Sequence, residues 1–155
     1  MKYILILITF LFILFLGSVL YQKSLIQSSY NGLPTVACID PTKSIVEKFS
    51  FNIQIFINGK NYPLSKNIGH DFGNCLHAIF VKDASGKVYI NSNKKSVFTL
   101  GQFFDVWHET FSKTQIFNFI ANDNHKIEVY VNSKLVNTYR NTLLFPNENI
   151  KIVYQ

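Results

Sequence analysis

Four side chains that lie close together in the chain, His70, Asp71, Cys75 and His77, are of the types that bind metals or move protons. In an extended strand, residues two apart face the same way, so Cys75 and His77 would present a thiolate and an imidazole together. With His70 from the preceding loop they form a ligand set suited to copper or zinc. A competing chemistry uses the same cysteine. Cys38 and Cys75 are the only two cysteines. In an oxidising compartment such a pair reads as a disulfide, here closing a loop of about 37 residues and contributing ~3–4 kcal/mol. An oxidised Cys75 cannot ligate, so the two readings exclude each other, and two unpaired thiols is the remaining arrangement. The expectation adopted is the Cys38–Cys75 disulfide with no metal and no cofactor; the alternative is a soft-metal module using His70, Cys75 and His77.

Little else in the chain carries chemistry. The nine carboxylates are Asp40, Glu47, Asp71, Asp83, Asp105, Glu109, Asp123, Glu128 and Glu148. They are spread over turns, a strand's polar side and a helix's solvated side, and no pair reads as an acid/base couple. There is no G-x-S-x-G, H-E-x-x-H, P-loop or dinucleotide fingerprint. His108 and His125 read as ordinary, His108 sitting where positive charge suits a helix C-terminus. No catalytic residue is expected, and the chain is read as a non-enzyme.

The elements that would position these residues are mostly strands. Phe49, Phe51, Ile53, Ile55 and Ile57 alternate with Ser50, Asn52 and Gln54, the pattern of a half-buried strand. Asn58-Gly59 then predicts a two-residue hairpin turn, and Pro63 limits the returning strand, residues 60–64, to an edge or a short run. A loop over 65–74 leads to a strand over 75–81, a turn at 83–86 and a partner strand over 87–91. Thr99 and Gln102 form a capping box, with Phe98 and Phe103 placed as a hydrophobic staple. Leu100, Phe103, Phe104, Trp107 and Phe111 fall on one helical face, with Gln102, Asp105 and Glu109 turned to water. Residues 127–131 and 134–139 predict a second hairpin, and 150–154 a last strand. The segments 53–60 and 127–134 look alike, which reads as two similar hairpins, not a repeat array.

Ahead of this domain, Tyr3–Leu20 contains no charge and only Thr9 and Ser18 as polar side chains. A helix of 18 residues rises about 27 Å, close to the ~30 Å hydrocarbon core of a bilayer. A cleaved signal peptide also fits Lys2 and an apolar run, but the run is longer than the usual ~7–15 residues and no A-x-A-like site follows. The expected organisation is a transmembrane signal-anchor over 1–21, a stalk over 22–45 and an extracytoplasmic domain over 46–155. The slight excess of positive charge ahead of the span puts the N-terminus in the cytoplasm of a single-pass membrane protein. The net charge of +6 comes almost wholly from scattered lysines, Arg140 being the one arginine. Nucleic-acid surfaces lean on clustered arginine, so no nucleic-acid partner is expected.

From Ile53 to about His108 the chain resembles a family of small, exported, mostly uncharacterised proteins of ammonia-oxidising archaea and some bacteria. The matching stretches are Ile53–Lys60, Lys66–Gly69, Cys75-Leu76, Asp83–Gly86 and Phe98–Trp107, the last being the most specific. That family's pattern is rich in histidines that look like a metal site. The corresponding positions here are Ser50, Asn52, Phe80, Lys82 and Tyr89, none a usual metal ligand. The resemblance therefore implies the family's scaffold without its ligands, and a structural or docking role.

The fold expected is α+β, an N-terminal transmembrane helix followed by one small mixed β-sheet domain built of hairpins with one amphipathic helix packed across it. The function expected is that of a non-catalytic accessory subunit. Lipid holds its N-terminal helix, and its domain docks on protein subunits of a larger membrane complex, a respiratory or ammonia-oxidising assembly if the resemblance reflects the source. Tyr62, Phe72, Phe80, Tyr89, Tyr130 and Tyr139 are the aromatics expected to face such a partner.

Overall fold

The alternation at the start of the domain produces its longest element. Strand β1, Glu47–Ile57, buries Phe51, Ile53, Ile55 and Ile57 on one side and turns Asn52 and Gln54 outward. The structure, a computed structural model, describes residues 36–71 and 74–155. The apolar block Tyr3–Leu20, with the anchor and signal readings placed on it, lies outside the described residues, as do Phe72 and most of the expected stalk. Among the described residues no helix is long and apolar enough to cross a membrane.

Ten further strands follow β1: β2 (Lys60–Tyr62), β3 (His70–Asp71), β4 (Cys75–Leu76), β5 (Ile79–Val81), β6 (Lys87–Ser92), β7 (Gln115–Ile116), β8 (Phe119–Ile120), β9 (Ile127–Val131), β10 (Lys134–Val136) and β11 (Asn149–Tyr154). Helix α1, Leu100–Trp107, separates β6 from β7. The main sheet runs β10-β9-β11-β1-β6-β5, with β2 also paired to β1. β1 and β11 are parallel and lie at its centre, and the remaining pairs are antiparallel. The sheet is mixed, and among the described residues one α-helix accompanies it, as the sequence pattern predicts.

Both two-residue turns form as their residues demand. Asn58 and Gly59 take φ of 50° and 76°, and Asn132 and Ser133 take 49° and 69°, the double left-handed geometry that matches strand twist. The two look-alike hairpins thus flank the central pair, one extending from β1 and the other joined to β11 through β9.

Register explains the core. Ile53 faces Ile150 and Ile55 faces Ile152 across the parallel pair, while Phe51 faces Val88 and Val129 faces Ile152 across antiparallel ones. These side chains share one side of the pleat, and all are buried. α1 joins them in a single apolar cluster through Leu100, Phe103, Phe104 and Trp107. Thr99 caps it as predicted: its Oγ1 accepts from Gln102 N–H, and Gln102 Oε1 accepts from Thr99 N–H. Gln102 departs from expectation in being buried, because its Oε1 turns back to accept from Thr99 N–H. The helix stops at His108, where φ is 60°, so Phe111 reaches the core from the following segment and not from the helix. Gly101 lets the helix lie close to the 3-10 turn Tyr139–Asn141; an added Cβ would sit 2.9 Å from the Arg140 carbonyl oxygen. Arg140 in turn donates to both oxygens of Asp105 at 2.7 Å.

Two further departures concern the segments around the cysteines. The single strand expected over 75–81 is broken between β4 and β5. The stalk expected over 22–45 ends earlier, because Val36 is buried and residues 36–44 belong to the domain. Asn93 fastens the latter part of that segment. Its Oδ1 accepts from Asp40 N–H at 2.7 Å, and its Nδ2 reaches the carbonyls of Asp40, Lys43 and Ser44 at 3.0–3.2 Å. We expect Asn93→Ala to cost about 1–3 kcal/mol, since it removes the partner of the Asp40 N–H and of the Lys43 and Ser44 carbonyls. Hydrogen exchange should quicken at residues 40–44 while β1 and β11 keep their protection.

Candidate functional site

Three of the residues singled out for their chemistry, Asp71, Cys75 and His77, meet where three segments are laced together. β3 pairs with β4, placing His70 opposite Leu76 and Asp71 opposite Cys75. The stretch ahead of β1 runs alongside: Ile39 N–H donates to Leu76, Ala78 N–H to Ala37, and Cys38 bridges to His77. Gly69 seats the 67–71 loop against β5. Its φ is +84°, and an added Cβ would press on the Ile79 carbonyl and come within 2.9 Å of the Phe80 side chain.

Cys38 and Cys75 form a disulfide, with Cα atoms 5.3 Å apart. The expectation from cysteine parity therefore holds. His77 lies beside it. The His77 Nδ1–H donates to the Val36 carbonyl at 2.6 Å, and Nε2 lies 2.8 Å from Asp71 Oδ2. Both partners offer lone pairs only, so the arrangement is fully satisfied when both ring nitrogens carry a proton. The other Asp71 oxygen lies 3.4 Å from His108 Nε2. Asp71 is thus a carboxylate held between two imidazoles. The hydrogen bond from His77 is the main reason its pKa is lowered; partial burial opposes that shift and the contact with His108 adds to it. Nearby, Asp40 is lowered to about 2 by the Thr42 hydroxyl, the Lys43 ammonium and the Thr42 N–H.

The sign of the pH effect follows. Asp71 titrates lower in the folded chain than in the unfolded one, so the unfolded chain takes up the proton first as pH falls. Its contribution is complete above the ordinary carboxyl pKa of about 3.9 and is lost as pH drops through the lower folded value. Acid titration of unfolding should show Asp71→Asn losing less stability than the native chain as pH falls below about 4. Parallel curves would mean the two imidazoles do not hold that carboxylate.

His70 does not join this group. It is exposed at the start of β3, its ring edge-on to Phe80 with centroids 6.1 Å apart. The three donors that converge are Cys38, Cys75 and His77, whose ligand atoms lie within 4.8 Å of one another. Disulfide formation consumes both sulfurs, which leaves the cluster as a clamp in the oxidised chain. Reading by sequence missed Asp71 as partner to both His77 and His108, and Cys38 as neighbour to His77. The Asp71–His108 contact spans 37 positions, and no local spacing announces it.

A second feature lies on the side of the sheet away from α1. Here Asn52, Gln54, Tyr130, Asn149 and Lys151 line a groove of about 580 Å³. Asn52 Nδ2 donates to Asn149 Oδ1 at 3.1 Å across the central pair, and Tyr130 donates to Glu128 at 2.8 Å. That hydrogen bond is the main cause of the raised Tyr130 pKa. On the same side Phe80 stacks on Tyr89 with centroids 5.5 Å apart, and Lys82 lies 4.6 Å from the Tyr89 ring centre. Lys151 similarly covers Phe56 at 5.1 Å. Of the aromatics expected outside, Tyr62 is exposed, Tyr89, Tyr130 and Tyr139 are half-buried, and Phe80 is buried under the 67–71 loop.

Comparison with protein families, with curated proteins and with solved structures gives no match to this chain.

Proposed function

We propose that this chain is a membrane-anchored, non-catalytic accessory subunit whose extracytoplasmic domain docks on a larger membrane complex. The observation that carries the reading is the two-sided sheet. One side is closed by α1 and the segments that follow it; on the other, beyond the stretch that the 67–71 loop covers, a polar groove lies open among tyrosine, amide and lysine side chains. Tyrosine presented with hydrogen-bonding neighbours is the chemistry enriched at protein interfaces. The disulfide supports export, and the uncharged block Tyr3–Leu20 supports retention in lipid. Affinity purification of the tagged full chain from native membranes in mild detergent tests the reading. Membrane proteins should co-purify in fixed ratio and be lost from a Gln54→Arg, Lys151→Glu double variant. A chain that elutes alone as a monomer counts against it.

The convergence of Cys38, Cys75 and His77 favours a second reading, a soft-metal module that operates when the cysteines are reduced. Metal analysis of the full chain under a thiol reductant decides it. Stoichiometric zinc or copper(I), lost in Cys75→Ser, would support that reading, and no bound metal would end it.

A further inference from the structure

Exposed large apolar side chains are unevenly distributed over the domain. The described residues include eight, and five of them, Ile45, Val46, Val97, Leu143 and Phe145, belong to three segments that meet where β1 begins. Val46 N–H donates to Ser92, and Ser96 N–H donates to the Glu47 carboxylate at 3.1 Å. Thr99 bridges to Leu143 and Leu144 N–H donates to Phe98. Val97 and Phe145 stand next to the buried Phe98 and Leu144 in these two segments and are themselves exposed. Val97 is 70% exposed and Phe145 51%, a degree of apolar exposure that marks an interaction surface when several such residues gather.

Exposed Lys43, Lys48, Lys94 and Lys95 lie within three residues of Ile45, Val46 or Val97 in the chain, Lys43 being paired with Asp40 at 3.0 Å. The acids at this end are Asp40, Glu47 and Glu148, so the rim is positive by one charge. The described domain as a whole carries 13 basic against nine acidic side chains. The chain also enters the domain here: the Val36 carbonyl accepts from His77, and Asn93, just past the end of β6, clasps residues 40–44. Fifteen residues separate Leu20 from Val36. That length reaches at most about 50 Å when extended, so the tether permits contact with a bilayer without imposing it.

We propose that this end of the domain lies on the membrane surface, its apolar side chains entering the headgroup region and its lysines meeting anionic lipid. The inference rests on the membrane-anchored reading above and specifies how the domain is oriented. Apolar residues at an interface ringed by lysine are the elements of peripheral lipid binding. The opposite end of the sheet, with Lys60 and Lys126, and the groove side then stay accessible to protein.

Lysine acetylation footprinting of the full chain in reconstituted vesicles tests this. Vesicles of phosphatidylcholine alone are compared with vesicles containing one-third phosphatidylglycerol. We expect Lys48, Lys94 and Lys95 to react about fivefold more slowly in the anionic vesicles, with Lys60 and Lys126 unchanged. High salt should reverse the protection, and a Val97→Asp, Phe145→Asp double variant should abolish it while retaining the native circular dichroism. Equal reactivity in both vesicle types overturns the proposal. Protection that tracks protein density and ignores lipid charge also overturns it, assigning the patch to a second copy of the chain. A chain stripped from the vesicles by alkaline carbonate fails at an earlier point, removing the anchored reading itself.

Discussion

Phe104→Ala is expected to destabilise the domain by about 3–5 kcal/mol, the range for truncating a buried aromatic ring. Phe104 is fully buried in α1 and stacks on Phe111 with centroids 4.4 Å apart. Phe103, Trp107 and Phe117 complete its surroundings at 5.5, 5.7 and 6.1 Å. The space left behind cannot easily collapse. Backbone bonds hold its walls, Glu109 N–H donating to Phe104 and Phe117 N–H to Thr110. A domain of this size has only about 5–15 kcal/mol of net stability, so the variant should unfold at a much lower denaturant concentration. Trp107, the single tryptophan, touches the same cluster and reports the transition. Ile45→Ala, at an exposed position, should shift it by less than about 0.5 kcal/mol. Equal effects from the two substitutions would show that the aromatic layer is not packed as described.

Removing the disulfide should be comparably severe. Cys38 and Cys75 are separated by 37 positions, and releasing a loop of that length from the unfolded chain corresponds to about 4 kcal/mol in the chain-entropy account. The loss has a structural side as well, since the bond fastens residues 36–39 to β4 beside the His77–Asp71 pair. Unfolding of the full chain in mild detergent, with and without dithiothreitol, measures it. The reduced chain should also show faster hydrogen exchange at residues 36–40 than Asn93→Ala does. An unchanged midpoint on verified reduction would contradict this assignment.

What could be read from the chain follows from how local each determinant is. The alternation in β1, both two-residue turns and the Thr99–Gln102 cap depend on neighbours in sequence, and all three formed as expected. The boundary of Gln102 burial did not, because helical periodicity counts an amide as solvent-facing and takes no account of its being used in a cap. The parallel pairing of β1 with β11 joins segments about a hundred residues apart and leaves no local trace beyond two apolar runs. The site divides in the same way. Cysteine parity fixed the disulfide, whereas the carboxylate shared by His77 and His108 depends on β3 folding back on β4 and on where the helix stops. His70 was grouped with Cys75 and His77 because it is near in sequence, and the β3–β4 register, which sets Asp71 and not His70 opposite Cys75, places it elsewhere.

On the function proposed above, this domain is held at a membrane by its own N-terminal apolar block. Alkaline carbonate extraction of native membranes, followed by intact mass measurement of the extracted or retained chain, tests it most directly. The chain should stay in the membrane pellet with Tyr3–Leu20 still attached. A mature chain that begins beyond Leu20 and leaves with the supernatant would contradict it.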